Sequence, residues 1–111
     1  MERLGAESFR GRRLLRRGTW VVAFLADWCP FCQRFPGEFS AWEGDPKLEL
    51  AVGDVTSGES RLWDEFDIEV VPTLIVFRDG EPVFRVDGEV GVGLPVGALE
   101  TARLRAWELA R

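Results

Sequence analysis

The sequence contains no histidine, no third cysteine and a single methionine among its 111 residues. The first two absences exclude an ordinary zinc site, which takes four nitrogen or sulfur ligands. Two cysteines are also too few for a disulfide framework, and a chain of this length can bury a core without one. No apolar run approaches the ~20 residues that span a bilayer. There is no internal repeat, linker or low-complexity segment, so residues 1–111 read as a single domain.

Hydrophobic residues make up 46% of the chain and charged ones 30%, the composition of a soluble globular protein, and five Trp with eight Phe predict an aromatic core. The net charge is −5, but residues 1–17 hold six Arg against two Glu, which leaves −9 on the remainder. An acidic body of that kind argues against nucleic acid as the main partner. The basic start does not read as a secretory signal. The apolar run that follows leads straight into the cysteine motif, which cleavage would strand. The expected location is cytoplasmic. The arginines are expected to form a solvated helix face, with docking of an acidic partner as the alternative.

Periodicity and turn residues predict the elements. A first helix is expected over residues 4–17, closed by Gly18. Residues 20–26, with no polar alternation, suit a central strand buried on both faces. From Cys29 the apolar positions Cys32, Phe35, Phe39 and Trp42 predict an amphipathic helix, kinked at Pro36 and stopped at Gly44. Residues 48–55 read as a strand. Thr56 followed by Glu59 has the capping-box pattern ahead of a short helix with Leu62, Trp63 and Phe66. Residues 73–77 form the next strand, and Arg78-Asp79-Gly80-Glu81 signals a hairpin into residues 83–86. After a glycine-rich passage, Leu99, Ala102, Ala106, Leu109 and Ala110 mark one stripe of a terminal helix. The class is α/β: a mixed sheet of about four strands with helices on both faces.

The segment that carries chemistry is Trp28-Cys29-Pro30-Phe31-Cys32, between the buried strand and a helix start. The first turn of a helix leaves N–H groups unpartnered and carries the positive end of the dipole, so a sulfur there is favoured as thiolate. With two residues between them the second sulfur lies one turn away, close enough to attack a mixed disulfide at the first. Cys29 is therefore expected to be the exposed nucleophile and Cys32 the resolving thiol. A structural or regulatory bridge is the alternative, although so short a loop would restrict the unfolded chain little.

With these residues stand Val71-Pro72-Thr73 some forty residues on, Asp79-Gly80 in the hairpin and Gly88 beyond the last strand. On this pattern the chain resembles the thioredoxin family over nearly its whole length. The resemblance implies a thioredoxin fold with Pro72 cis beside the cysteine pair, and the backbone of Val71 free to pair with an extended substrate segment. Trp28, Pro30, Phe31, Val71 and Pro72 become the expected substrate-binding residues. It also implies a protein-disulfide oxidoreductase, most simply a reductase, with protein disulfides as substrates. No metal or organic cofactor is implied, and recycling would fall to a thioredoxin-reductase-type flavoenzyme. Running in reverse, the same chemistry would make a disulfide donor or isomerase, and a binding module with a regulatory disulfide is the reading from another class.

The departures from the family pattern are specific. Ala23 stands where thioredoxins usually keep a buried Asp beneath the resolving cysteine, and the Lys that partners it is missing from Ala51-Val52-Gly53. Asp27, the nearest acid in sequence, is then the candidate proton relay. Pro30-Phe31 replaces the usual Gly-Pro and is similar to glutaredoxins, but the Gly-Gly and acidic residues that hold glutathione there do not follow Pro72.

Overall fold

The computed structural model describes residues 2–33 and 48–110. In chain order these form β1 (Glu2–Leu4), a 3-10 turn (Ala6–Ser8), β2 (Phe9–Arg10), β3 (Arg13–Leu14), β4 (Thr19–Leu25), α1 (described over Pro30–Gln33), β5 (Glu49–Asp54), α2 (Leu62–Glu65), β6 (Thr73–Arg78), β7 (Glu81–Asp87) and α3 (Ala98–Leu109). The expected kink at Pro36, the apolar stripe through Phe35, Phe39 and Trp42, and the stop at Gly44 lie outside the described residues. Among the described residues no helix is long and apolar enough to cross a membrane.

The main sheet has the order β1-β5-β4-β6-β7. β1, β5 and β4 run parallel, while β6 is antiparallel to β4 and β7 antiparallel to β6. It is the mixed sheet expected, flanked by helices, with β4 at its centre and every β4 residue buried. An apolar run without alternation has no face to give to water. Helix α3 packs along β4, β6 and β7 and buries Ala98, Ala102 and Ala106, with Leu99, Leu109 and Ala110 half-covered beside them.

The sheet has five strands rather than about four, because the first segment is not a helix. Residues 2–4 add an edge strand beside β5, and β2 and β3 pair as a small hairpin. Leu4, Phe9 and Leu14 are each 2% exposed and stand five residues apart, a spacing that no single helix face can bury. Gly11, at φ +57, reverses the chain between β2 and β3, a conformation most side chains avoid. Phe9 enters the aromatic core, with ring centroids 5.8 Å from Phe24, 5.4 Å from Phe66 and 6.0 Å from Phe77.

The arginines are accordingly not a solvated helix face. Arg3 reaches Asp27 at 2.7 Å and Asp54 at 3.4 Å, and Arg12 meets Asp67 at 2.6 Å. Arg13 pairs with Glu81, and Arg16 donates two hydrogen bonds to Glu2 at 2.9 and 2.7 Å, which hold the Glu2 carboxyl below its usual range. Four of the six basic residues thus find their acids within the same chain. Each such exposed pair adds little by itself, but together they orient the segment over the body.

Two turns show how the pieces are joined. Asp79 (φ +47) and Gly80 (φ +90) form the predicted two-residue hairpin, whose twist matches its strands. A Cβ on Gly80 would lie 2.6 Å from the Leu14 carbonyl oxygen, so the hairpin can press against β3 only through glycine. The capping box expected at Thr56 and Glu59 does not form. The Thr56 hydroxyl instead accepts the Asp27 N–H at 2.9 Å, and α2 begins without a side-chain cap. Thr56 follows β5, and the parallel pairing with β4 sets it beside Asp27 rather than at the helix end.

If the first segment is core, Phe9→Ala should destabilise the protein by about 3–5 kcal/mol, the usual cost of emptying an aromatic site. Urea unfolding followed by far-UV circular dichroism measures it; a loss under about 1 kcal/mol would mean the segment is peripheral.

Candidate functional site

Strand register brings the site together. Leu25 is paired with Asp54, Phe24 with Thr73, and Thr73 with Asp87. The chain leaving β4, the chain leaving β5, the chain entering β6 and the chain leaving β7 therefore meet at one end of the sheet. Residues 26–33, 55–57, 70–72 and 88–93 are the loops so assembled.

Cys29 caps the exit from β4, its N–H bonded to the Ala26 carbonyl at 3.1 Å. Pro30 is the first residue of α1, the position at which a missing N–H costs no hydrogen bond. The Cys32 N–H points back at both the carbonyl and the sulfur of Cys29, each at 3.2 Å. On its other side the Cys29 thiol donates to the Val71 carbonyl at 3.5 Å. One sulfur thus touches the second cysteine's backbone and the residue before Pro72, and the Val71–Pro72 bond is cis. The buried Thr73 hydroxyl secures this loop by donating to the Val70 carbonyl at 2.7 Å. Both cysteines are free thiols.

Cys29 is not uncovered as the sequence suggested: it is 4% exposed. Its sulfur turns inward to the Val71 carbonyl, and access to it is through a groove of about 270 Å³ bordered by Trp28, Pro30, Phe31, Trp63 and Val71. Pro72 lies in an adjoining cavity of about 360 Å³, which shares Phe31 with the groove. The residues expected to meet substrate are therefore contiguous. Gly88 lets this happen, since a Cβ there would stand 2.6 Å from the Pro72 carbonyl oxygen. The Phe31 ring lies directly against Gly93.

Cys32 is 3% exposed, and burial, reinforced by its contact with Cys29, pushes its thiol up to about 12. Ala23 is fully buried in β4 between Val52 and Leu74, so the position at which the resemblance calls for a carboxylate is apolar. Asp27 does not take over that part. Its side chain is 72% exposed and its carboxylate is held by Arg3 at 2.7 Å, which draws it out over the surface. The only Asp27 group turned toward α1 by a described hydrogen bond is its carbonyl, which accepts from Gln33 Nε2 at 3.4 Å.

Several site residues were not read from the sequence. Trp63, placed by the sequence only on the short helix, stacks on Trp28 with centroids 6.2 Å apart and planes 10° from parallel. The two indole N–H groups donate to successive carbonyls, Trp28 to Thr56 at 2.9 Å and Trp63 to Ser57 at 3.0 Å. Glu69, Glu89 and Val90 also line the groove. Glu89 and Val90 follow the motif glycine Gly88 directly, the one local signal that could have pointed to them. Among the described residues no group of three or more His, Cys, Asp or Glu could hold a metal ion.

Burial, the largest cause of the raised Cys32 pKa, remains when Cys29 is replaced, so the thiol stays protonated well above neutral pH. In a Cys29→Ser variant the iodoacetamide alkylation rate of Cys32 should therefore rise about tenfold per pH unit from pH 7 to 10. A plateau below pH 9 would show an acceptor for its proton that burial does not provide.

The thioredoxin family model matches residues 3–93. A thioredoxin of Staphylococcus haemolyticus is 37% identical over 76 residues, which cover 67% of this chain and 72% of that protein. Human thioredoxin-related transmembrane protein 1 is 38% identical over 72 residues, 62% of this chain; the chain spans about a quarter (25%) of that relative's length. Among solved structures, spinach chloroplast thioredoxin f aligns over 99% of this chain and 86% of its own with a TM-score of 0.75 at 14% identity. Fasciola hepatica thioredoxin aligns over 96% and 99% with a TM-score of 0.68 at 24% identity. These two likenesses are of fold. The family match spans β1 to the loop beyond β7 and contains the cysteine pair, the cis prolyl bond and Gly88 within it: the chain belongs to the thioredoxin family.

Proposed function

We propose that this protein is a thiol-disulfide oxidoreductase that reduces disulfides in other proteins through Cys29 and Cys32. The observation that carries the reading is the Cys29 sulfur bordering an aromatic-lined groove, with the Cys32 N–H at 3.2 Å and the Val71 carbonyl at 3.5 Å. Cys29, as thiolate, attacks one sulfur of the substrate disulfide; that bond breaks, and the other substrate sulfur leaves as a thiolate and takes up a proton. Cys32 then loses its proton to solvent and attacks the Cys29 sulfur. The second substrate thiol departs, and Cys29 and Cys32 are left joined. Two electrons have passed to the substrate.

Trp28, Pro30, Phe31, Val71 and Pro72 serve in this reading as the surface for an extended substrate segment. The exposed Val90 and Val92, 83% and 59% accessible, enlarge its apolar rim. A thioredoxin-reductase-type flavoenzyme would restore the dithiol, and the cytoplasm, where thiols are kept reduced, is the compartment that suits this direction. A disulfide donor would use the same residues with the electron flow reversed.

Insulin reduction with dithiothreitol tests the reading. Cys29→Ser should abolish turnover, whereas Cys32→Ser, incubated with insulin before dithiothreitol is added, should accumulate covalent mixed disulfides that dithiothreitol then releases. Equal turnover by wild type and Cys29→Ser would remove the enzymatic claim. A redox titration of the pair sets the direction, with a potential near about −270 mV marking a reductant and one near about −120 mV an oxidant.

A further inference from the structure

The acids around the cysteine groove fall into two groups. Asp27 is paired with Arg3, Asp67 with Arg12 and Asp87 with Arg85. Glu69 and Glu89, by contrast, line the groove that leads to Cys29, are exposed, and have no ion-pair partner among the described residues. Among the described residues they are the only ionisable carboxylates in that lining, and none of those residues is Lys or Arg. The same lining holds the Trp28–Trp63 stack, fixed by the Thr56 and Ser57 carbonyls, with Trp28 60% exposed. Indole faces attract cations through the negative face of the ring, and unpaired carboxylates do so by charge. A groove built of these two elements, with no cation among the described residues of its lining, is complementary to a guanidinium or ammonium group.

We propose that the groove selects protein disulfides whose cysteine is flanked by an arginine or lysine, with Glu69 and Glu89 as the specificity-determining residues and the Trp28–Trp63 pair as the aromatic wall. The inference rests on the redox reading above and names the substrate class for it. The occupant is an extended segment carrying one cationic side chain next to the reacting cysteine.

The test uses disulfide peptides that differ only in the residue beside the cysteine, Arg, Gln or Glu. Single-turnover reduction by the reduced protein is measured alongside the affinity of the matching Ser-for-Cys peptides, read from tryptophan fluorescence. At low ionic strength the Arg peptide should be bound and reduced about fivefold better than the Gln peptide and about tenfold or more better than the Glu peptide, and added salt should narrow the gap. In a Glu69→Gln, Glu89→Gln double variant the Arg-to-Glu ratio should fall to within about twofold, while Glu108→Gln, the same charge change on α3, should leave the ratio intact. Equal binding of the three peptides by the wild type, or a ratio that survives in the double variant, overturns the proposal and leaves the redox reading standing. Preferential binding of the Arg peptide with none of the three reduced does the reverse.

Discussion

The site depends on the pairing of β4 on both of its edges. Parallel to β5 and antiparallel to β6, and buried on each face, this strand is held in register by backbone hydrogen bonds on both edges, which a shift would break with no water to replace them. That constraint sets where the chain emerges. Because β4 ends where β6 begins, Cys29 arrives beside Val71 and the cis bond to Pro72. Because β7 runs back along β6, Gly88 comes to lie under the Pro72 carbonyl. Because β5 ends alongside β4, Thr56 receives the Asp27 N–H and the Trp28 indole rests against it.

Within that frame the two sulfurs have different surroundings. Cys29 borders a groove and meets both an N–H and a carbonyl, whereas Cys32 is packed against the core near an apolar strand position. Desolvation disfavours the charged thiolate, so Cys32 keeps its proton far above neutral pH. A carboxylate at position 23 would offer an acceptor inside the protein; Ala23 and the surface-bound Asp27 offer none. Among the described side chains, Cys32 therefore has no carboxylate beside it to take its proton.

The basic first segment and the acidic remainder are two halves of one arrangement. Phe9 supplies the apolar anchor among Phe24, Phe66 and Phe77, and arginines on either side reach acids in β5, in the loop after α2 and at the start of β7. Among the described residues, what remains unpaired in the lining of the groove is negative. A composition that reads only as an asymmetry of charge along the chain becomes, once folded, a neutralised edge and an acidic opening.

Much of this was legible in the residues. The unalternating run before Cys29, the Asp79-Gly80 turn, the glycine at 88 and the prolines at 30 and 72 each have a local physical meaning, and with the cysteine spacing they specified the central strand, the hairpin and the place of the cysteine pair at the end of that strand. Residues 4–17 were misread because their buried side chains answer to contacts with Phe24, Phe66 and Phe77, which no local period encodes. The partners of Asp27 and Thr56, the cover over Cys29 and the convergence of Trp63, Glu69 and Glu89 were decided by tertiary structure alone. Sequence determines what depends on neighbours in the chain: spacing, turn chemistry and apolar pattern. Burial, charge pairing and the walls of a groove depend on segments tens of residues apart, and exist only after strand register has brought those segments together.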